Sequence, residues 1–351
     1  MYFDTKAAIH SPAYKLALIR RVQKRYYTTS GRIFPKLFKA MELNDANLKE
    51  IADAMFECTR CRRCTIHCPL GIDPAWPVSA GRYLVKTAGK APSVLSMVAQ
   101  VGVEKAKNIS LYEGLYLEQI KILEDQLSND TKNPNARIPV KNQDADILYV
   151  PIAGAHSIIP AAKIFNAVGE DWSLSQFEAN NYSYFLGDIE AAKWFNRTLP
   201  FQVKSIAEVM AKYIEEGRIK LDPSVNPGTT TYHDPCQLAR NGGVYEEPRA
   251  ILRASVEKFR ELAPPNKEYN WCCGGGGGLI VPPDLKELRM KTGKRKAEQI
   301  KQTKTTAIAS MCENCRSQLV DLNEHYNLGV RVTSLIELMA NAIKQEGRNS
   351  P

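Results

Sequence analysis

The sequence lacks long apolar runs and the usual marks of an exported protein. No stretch of eighteen apolar residues occurs among its 351 residues, so we expect no membrane-spanning helix. Residues 1–10 contain neither the apolar centre of a signal peptide nor a small-residue cleavage site, which predicts a cytoplasmic protein. Cysteines in a reducing compartment are more often metal ligands or catalytic thiols than disulfides. The odd count of nine cysteines also excludes complete disulfide pairing.

Nucleotide and nucleic-acid signatures are missing as well. No dinucleotide-binding glycine signature is followed by an acidic residue, so we expect no flavin or nicotinamide in this chain. No helix-turn-helix, RNA-binding or zinc-finger pattern accompanies the net charge of +9, so nucleic acid is not an expected partner. The excess lysine and arginine concentrates in residues 15–39 and 286–304. It forms either solvated helix faces or, near the N-terminus, a surface for a partner subunit or a membrane.

The N-terminal part of the chain has a helical pattern. Residues 1–43 indicate a basic arm with one helix, and residues 44–135 indicate a helical ferredoxin-like domain. Asn44 or Asp45 could cap the first helix of that domain. The polar segment that ends at residue 146 is the best domain boundary.

The C-terminal part, residues 145–351, alternates strands with helices. Its predicted buried strands are residues 146–152, 229–233 and 306–310. Such alternation indicates a mostly parallel sheet with helices on its faces. The expected fold class is therefore α + α/β. Cys236 and Cys312 follow the ends of two strands, where functional groups of such sheets lie.

Four cysteines form the first candidate metal site: Cys58, Cys61, Cys64 and Cys68. Their C-x2-C-x2-C-x3-C-P spacing is typical of a loop around a [4Fe–4S] cubane and fits zinc poorly. In two-cluster ferredoxins the fourth cysteine serves the other cluster. Because no second such motif occurs here, Cys68 either closes the same cluster or meets one completed elsewhere. Neighbouring Arg60, Arg62 and Arg63 either stabilise the reduced cluster or face solvent or a partner, and His67 is expected to be exposed.

Five cysteines form the second candidate site: Cys236, Cys272, Cys273, Cys312 and Cys315. Adjacent cysteines seldom both bind one ion, so the doublet is unusual for zinc. The glycine run 274–278 permits positive φ and a close approach of the backbone to a bulky inorganic core. Its N–H groups could also hydrogen-bond cluster sulfurs.

Several polar residues are candidates for supporting the second site. His233 and Asp234 precede a ligand and could hydrogen-bond a sulfur or a thiol substrate, or simply cap a strand end. His156, Arg249 and Glu313 are further candidates for contacts around the cysteines. No catalytic residue is assigned from the sequence.

The second set resembles the cysteine-rich CCG domain of the heterodisulfide reductase family. The resemblance rests on Tyr232–Cys236, Glu247–Arg249, Trp271–Leu279 and Cys312–Cys315. A ferredoxin motif ahead of a CCG half is similar to the fused, HdrD-like and DsrK-like branch. This implies a noncubane [4Fe–4S] cluster on the five cysteines. It also implies flavoprotein, ferredoxin-like or membrane quinone-linked partner subunits, and a peripheral position at the inner face of a membrane.

The chain departs from that family in its first half. Full heterodisulfide reductase B subunits carry two CCG motifs and this chain carries one, so we expect residues 145–225 to form a degenerate half and residues 228–351 the cluster-binding half. Gly154 stands where a ligand cysteine is expected. The segment Gly187–Lys193 leads almost directly into the segment that begins at Trp194. This indicates either a real deletion or residues that are missing from the sequence, and the intact mass of the protein would distinguish the two.

The expected function is that of an iron–sulfur electron-transfer subunit in a heterodisulfide-reductase-like complex. It would relay electrons between the cubane and the noncubane cluster. One alternative is a thiol or disulfide reductase acting at the CCG cluster, which is less favoured because only one such cluster is expected. The other is a scaffold with a structural zinc ion in the CCG domain.

Overall fold

A computed structural model describes residues 1–96, 113–151, 155–175 and 201–344. The N-terminal part is helical, and its helices are Tyr2–Thr5, Pro12–Tyr27, Thr29–Ile33, Asp45–Phe56, Arg63–Ile66, Ala75–Thr87 and Glu113–Thr131. A 3-10 turn covers Ala8–His10. Asn44 caps the helix that leads to the first cysteines, because its side chain accepts a hydrogen bond from the Asn47 N–H at 2.9 Å. The predicted cap is confirmed.

The helices that flank the first cysteine loop share one apolar core. Leu18 of helix Pro12–Tyr27 packs with Ile51 and Met55 of the next long helix and with Val85 of helix Ala75–Thr87. The basic N-terminal segment is therefore packed into the helical part rather than extended from it. Burial of these side chains fixes the position of the chain just before Cys58.

The C-terminal part contains two parallel sheets. Strands β1 (Ile147–Tyr149) and β2 (Trp172–Leu174) pair in parallel, and helix Ala155–Val168 connects them in the sequence. A second sheet has the order β4-β3-β5-β6, with all neighbours parallel. Its strands are β3 (Thr229–Tyr232), β4 (Lys258–Phe259), β5 (Ala307–Ser310) and β6 (Arg331–Ser334). The α + α/β fold class and the parallel pairing are confirmed.

Helices cover both faces of the larger sheet. They are Ile206–Glu215, Glu246–Ser255, Lys286–Thr303, Glu313–His325 and Leu335–Asn341. A π-type turn at Gln237–Asn241 and 3-10 turns at Pro223–Val225, Lys267–Tyr269 and Pro283–Leu285 complete the elements. The β1–β2 unit shares its core with the larger sheet, since Phe165 and Trp172 lie in one apolar cluster with Tyr232 and Leu335.

Two sequence observations lie outside the described residues. These are Gly154 and the junction between Lys193 and Trp194. Among the helices within the described ranges, none is both long and apolar enough to cross a bilayer.

Candidate metal centre

The five cysteines of the second set converge at the carboxyl edge of the larger sheet. Cys236 follows β3, Cys312 follows β5, and the doublet lies in the loop after turn Lys267–Tyr269. The Sγ atoms of Cys273 and Cys315 are 3.5 Å apart. The thiol of Cys272 lies close enough to those of Cys236 and Cys273, and the thiol of Cys312 to that of Cys315, for each to affect the pKa of its neighbour. All five thiols thus form one continuous group.

These thiols cannot all ionise without a multivalent cation. Hydrogen bonds with Cys272 and Cys315 lower the pKa of Cys273 well below the ordinary thiol value. The same contact with Cys273 raises the pKa of Cys315 well above it. Neighbouring thiolates repel one another, so deprotonating one cysteine makes the next harder to deprotonate. A group of soft, thiophilic metal ions would hold all five as thiolates.

His233 adds a nitrogen to this group of sulfurs. Its side chain is buried, and the ligand atoms of His233, Cys273 and Cys315 all lie within 4.8 Å of one another. Burial, followed by the charge of Lys296, lowers the pKa of His233 well below its usual value, so the imidazole is neutral. Five thiols and one imidazole exceed the four positions of a structural zinc site. The donor set therefore fits a polynuclear group better than a single ion.

Asp234 does not face the sulfurs. Its carboxylate is paired with Arg249, through Nη1–Oδ1 and Nη2–Oδ2 distances of 2.8 and 3.0 Å, and both side chains are almost fully buried. Arg249 also binds the Glu261 carboxylate at 2.5 and 3.0 Å. Burial opposes the charge on Arg249, but these two carboxylates outweigh it and raise the arginine pKa. Asp234 thus has a structural partner in Arg249, which neither of the two sequence interpretations, a bond to sulfur or a strand-end cap, had predicted.

The first set follows helix Asp45–Phe56 and includes the short helix Arg63–Ile66. Burial, with contributions from Cys61 and Cys58, raises the pKa of Cys64 to about 11. These three thiols therefore lie close enough to influence one another. Cys68 lies just beyond the short helix, with its N–H 3.2 Å from the Thr65 carbonyl oxygen. Its role as the fourth ligand stays a prediction.

The two cysteine sets are in contact. The side chains of Cys61 and Cys272 lie close enough to interact, and this interaction, together with burial, raises the pKa of Cys61 well above the ordinary value. The turn after Cys236 binds the first loop: Gln237 Nε2 donates to the Arg60 carbonyl at 3.2 Å, and Arg240 Nη1 donates to the Cys61 carbonyl at 2.5 Å. The fold thus places the two candidate centres side by side.

The glycine run is the main-chain contact between the two sets. A Cβ on Gly276 would lie 2.6 Å from the Thr59 carbonyl oxygen, and one on Gly277 would lie 2.2 Å from that of Cys58. Arg82 joins the same two loops, because its guanidinium donates to the carbonyls of Gly277 at 2.8 Å and Cys58 at 2.9 Å. The sequence predicted a close approach of this backbone to an inorganic core, whereas at Gly276 and Gly277 the observed neighbour is the main chain of the first cysteine loop.

The glycine run also contacts sulfur directly. The N–H of Gly274 donates to Cys272 Sγ at 3.3 Å. Gly274 has φ +102°, and an added Cβ would lie 2.9 Å from the Arg289 carbonyl oxygen. This N–H contact to a cysteine sulfur agrees with the expectation from the sequence.

The arginines of the first loop have partners within the chain. Arg60 donates to Ser79 Oγ at 2.9 Å, and Arg62 lies 3.7 Å from the Asp73 carboxylate. The Arg63 guanidinium stacks 3.8 Å above the Trp271 ring, which links the two loops again. Their side chains are therefore held by contacts within the chain, and whether they stabilise a reduced cluster or meet a partner protein stays a prediction.

The three remaining sequence candidates lie at the edge of the centre. His67 is exposed as expected, with its ring 5.6 Å from that of Tyr269. His156 Nε2 lies 2.8 Å from Glu313 Oε2, and Glu313 follows Cys312 directly. This pair anchors helix Ala155–Val168 to the second set.

Sequence analysis missed two buried lysines, one beside each cysteine set. Lys15 is 3% exposed and donates to the Ala54 carbonyl, and Lys296 is fully buried and donates to Asn270 and Gln299. Burial lowers the pKa of Lys15, although the nearby Cys58 acts in the opposite direction. Burial also lowers the pKa of Lys296, to about 7, and there Asp234 and Cys273 oppose it. The expectation that both basic segments form solvated faces is wrong at these positions.

Comparison with known proteins identifies one segment of the C-terminal part. Residues 230–320, which contain all five converging cysteines, match the cysteine-rich domain family called CCG. This segment is a CCG domain. The resemblance seen in the sequence is confirmed, and the matched segment includes strand β3, the glycine run and strand β5 of the larger sheet.

Relatives of the CCG-containing chain include redox-complex subunits from archaea. The chain is 23% identical to the Hdr-like menaquinol oxidoreductase iron-sulfur subunit 2 of Archaeoglobus fulgidus, over 97% of this chain and 77% of the relative. It is 26% identical to one subunit of the dihydromethanophenazine:CoB–CoM heterodisulfide reductase of Methanosarcina barkeri, over 91% and 85%. The Archaeoglobus alignment spans 427 positions, more than this chain has residues, so that relative carries insertions.

A shorter stretch is more similar still. It is 36% identical to one subunit of the fumarate reductase (CoM/CoB) of Methanothermobacter marburgensis, over 39% of this chain and 26% of the relative.

Proposed function

We propose that this protein is an iron–sulfur electron-transfer subunit of a heterodisulfide-reductase-like complex. The first cysteine set would hold a [4Fe–4S] cubane in a ferredoxin-like arrangement, and the CCG set a noncubane [4Fe–4S] cluster. The close approach of the two cysteine loops carries this proposal, because the glycine run lies directly against the main chain of Cys58 and Thr59 and Arg240 donates to the Cys61 carbonyl. The relatives that are named as iron–sulfur and heterodisulfide reductase subunits support it.

The clusters would supply one-electron redox chemistry, and the chain would supply their environment. Gly274 N–H would hydrogen-bond a ligand sulfur, and His233 would place a neutral imidazole against the CCG cluster. Partner subunits would deliver and remove the electrons. A cytoplasmic location, flavoprotein or ferredoxin-like donors and a quinone-linked acceptor stay predictions.

Single cysteine substitutions test whether the two sets act as separate centres. Purified under anaerobic conditions, the intact protein should contain about eight irons per chain. Cys273→Ser should lower this to about four and remove the CCG cluster signal from the EPR spectrum, because only the second set loses a ligand. Cys64→Ser should remove the cubane and spare the CCG signal. Equal loss of both signals in both variants would contradict the assignment.

A structural zinc ion in the CCG domain is the second candidate. The compact trio of His233, Cys273 and Cys315 favours it, since its nitrogen and sulfur atoms suit zinc. Metal analysis of the same preparation separates the two proposals. About one zinc with about four irons per chain would establish the zinc scaffold and exclude the two-cluster relay.

The buried lysines provide a test of the electrostatics at each cluster. A nearby ammonium stabilises the reduced, more negative cluster, so removing it should make the reduction potential more negative. We expect Lys296→Met to lower the potential of the CCG cluster by tens of millivolts and Lys15→Met to do so for the cubane. An EPR-monitored redox titration below pH 7, where Lys296 is protonated, would measure both.

Each lysine variant is the control for the other. Each should move one potential and leave the second close to its original value. If both potentials move together in either variant, the effect is a general loss of structure and the lysines have no cluster-specific role.

A further inference from the structure

The N-terminal segment carries nine cations and no acidic side chain between residues 5 and 41. The cations are Lys6, Lys15, Arg20, Arg21, Lys24, Arg25, Arg32, Lys36 and Lys39. Lys15 is buried beside the first cysteine set, and the other eight are at least partly exposed. Such a one-signed segment attracts an anionic partner.

Large apolar side chains protrude from the same segment. Tyr27 is 81% exposed and Leu37 76%, and Ile33 and Phe34 are more than half exposed. Phe34 and Leu37 belong to the turn that follows helix Thr29–Ile33. Their apolar surface is left in contact with water in the isolated chain, which is unfavourable.

The cations and the apolar side chains lie together in space. Three basic side chains of helix Pro12–Tyr27 hold the carbonyl groups of the following segment. Arg21 donates to the Lys39 carbonyl at 3.4 Å and Lys24 to that of Phe38 at 3.2 Å. Arg25 donates to the Arg32 carbonyl at 3.4 Å. The apolar turn is therefore fastened onto the basic stripe of the helix.

We call this the basic–apolar surface. It consists of Arg21, Lys24, Arg25, Tyr27, Arg32, Ile33, Phe34, Lys36, Leu37 and Lys39. It contains none of the nine cysteines and none of the residues that join the two cysteine sets. A role for it is therefore independent of the proposed electron relay.

We propose that the basic–apolar surface binds an anionic phospholipid bilayer. Lysine and arginine would contact lipid phosphates, while Phe34, Leu37 and Ile33 enter the boundary between headgroups and acyl chains. Tyr27 has the amphipathic ring that is enriched at that boundary. A bilayer accepts four protruding apolar side chains without preformed pockets, whereas an acidic protein would have to supply pockets of matching shape. The chain would thus lie on a membrane through its own residues.

Vesicle flotation with the full-length, cluster-loaded protein tests this proposal. We expect binding to phosphatidylcholine vesicles that contain phosphatidylglycerol, and little binding to phosphatidylcholine alone. Added salt should weaken the binding, because it screens the lysine and arginine charges. Phe34→Glu combined with Leu37→Glu should weaken it at least tenfold, since carboxylates would enter the apolar boundary.

A charge-matched pair of variants separates the surface from net charge. Lys36→Glu with Lys39→Glu should also abolish binding. Lys291→Glu with Lys294→Glu makes the same change in net charge on an exposed helix elsewhere and should leave binding unchanged. If the two pairs behave alike, or if wild-type protein ignores phosphatidylglycerol vesicles, the proposal is wrong. Failure of the wild-type protein to bind phosphatidylglycerol vesicles would overturn the membrane proposal even if the same surface were found to bind an acidic protein.

Discussion

Gly277→Ala is expected to destabilise the protein and to disturb the contact between its two cysteine sets. Gly277 has φ +65°, and its added Cβ would lie 2.2 Å from the Cys58 carbonyl oxygen, a main-chain atom that cannot rotate away. The left-handed conformation costs alanine about 1–2 kcal/mol, and overpacking against the backbone adds about 1–3 kcal/mol. Anaerobic thermal unfolding of the loaded protein should show a lower Tm, and EPR should show a weaker magnetic interaction between the clusters.

Gly329→Ala is the matched control for this variant. Gly329 has φ +66°, so its substitution has the same conformational cost, but nothing lies within 4 Å of its added Cβ. Its Tm should fall by less, and the interaction between the clusters should stay the same. Equal Tm shifts in the two variants would show that the close approach of Gly277 to Cys58 does not exist in solution.

Arg249→Met is expected to cost about 3–5 kcal/mol in the free energy of unfolding, because it leaves the Asp234 carboxylate buried without its partner. Asp234 is 1% exposed, and the Lys267 N–H at 3.1 Å would still donate to its carboxylate. Denaturant titration under anaerobic conditions would measure the loss. Combining Arg249→Met with Asp234→Asn should recover a large part of it, since no buried charge remains.

Glu261→Gln is the control for the arginine network. Glu261 also binds Arg249, but its side chain is 37% exposed, so water can replace the lost contact. We expect a cost below about 1 kcal/mol. If Arg249→Met costs no more than Glu261→Gln, the buried pair does not support the CCG half as described.

Spacing in the sequence predicted much of the site because the relevant signals are local. The strand ends at Tyr232 and Ser310 agree with the predicted strands to within one residue, and parallel pairing brings Cys236 and Cys312 to the same edge. The adjacent Cys272 and Cys273, which follow Trp271, belong to the same cysteine set. Likewise, Asn44 is a helix cap that depends on a residue three positions away.

Features that depend on distant partners could not be predicted. Asp234 and Arg249 were both candidates, but their pairing follows from helix Glu246–Ser255 packing beside β3, and the sequence cannot reveal that geometry. A lysine also gives no signal of its own burial. Lys296 lies in a strongly basic helix, and its burial and its contacts with Asn270 and Gln299 distinguish it from the exposed lysines of that helix.

The contact through Gly276 and Gly277 has a consequence for the rate of electron tunnelling in the proposed relay. Tunnelling depends steeply on the distance between redox centres and more gently on driving force. Here main-chain atoms of residues 58–59 lie directly against those of Gly276 and Gly277, so no side chain separates the two loops at this point. Substitutions around the centres can therefore change driving force while the tunnelling distance stays the same. A larger residue at either glycine would change this distance as well.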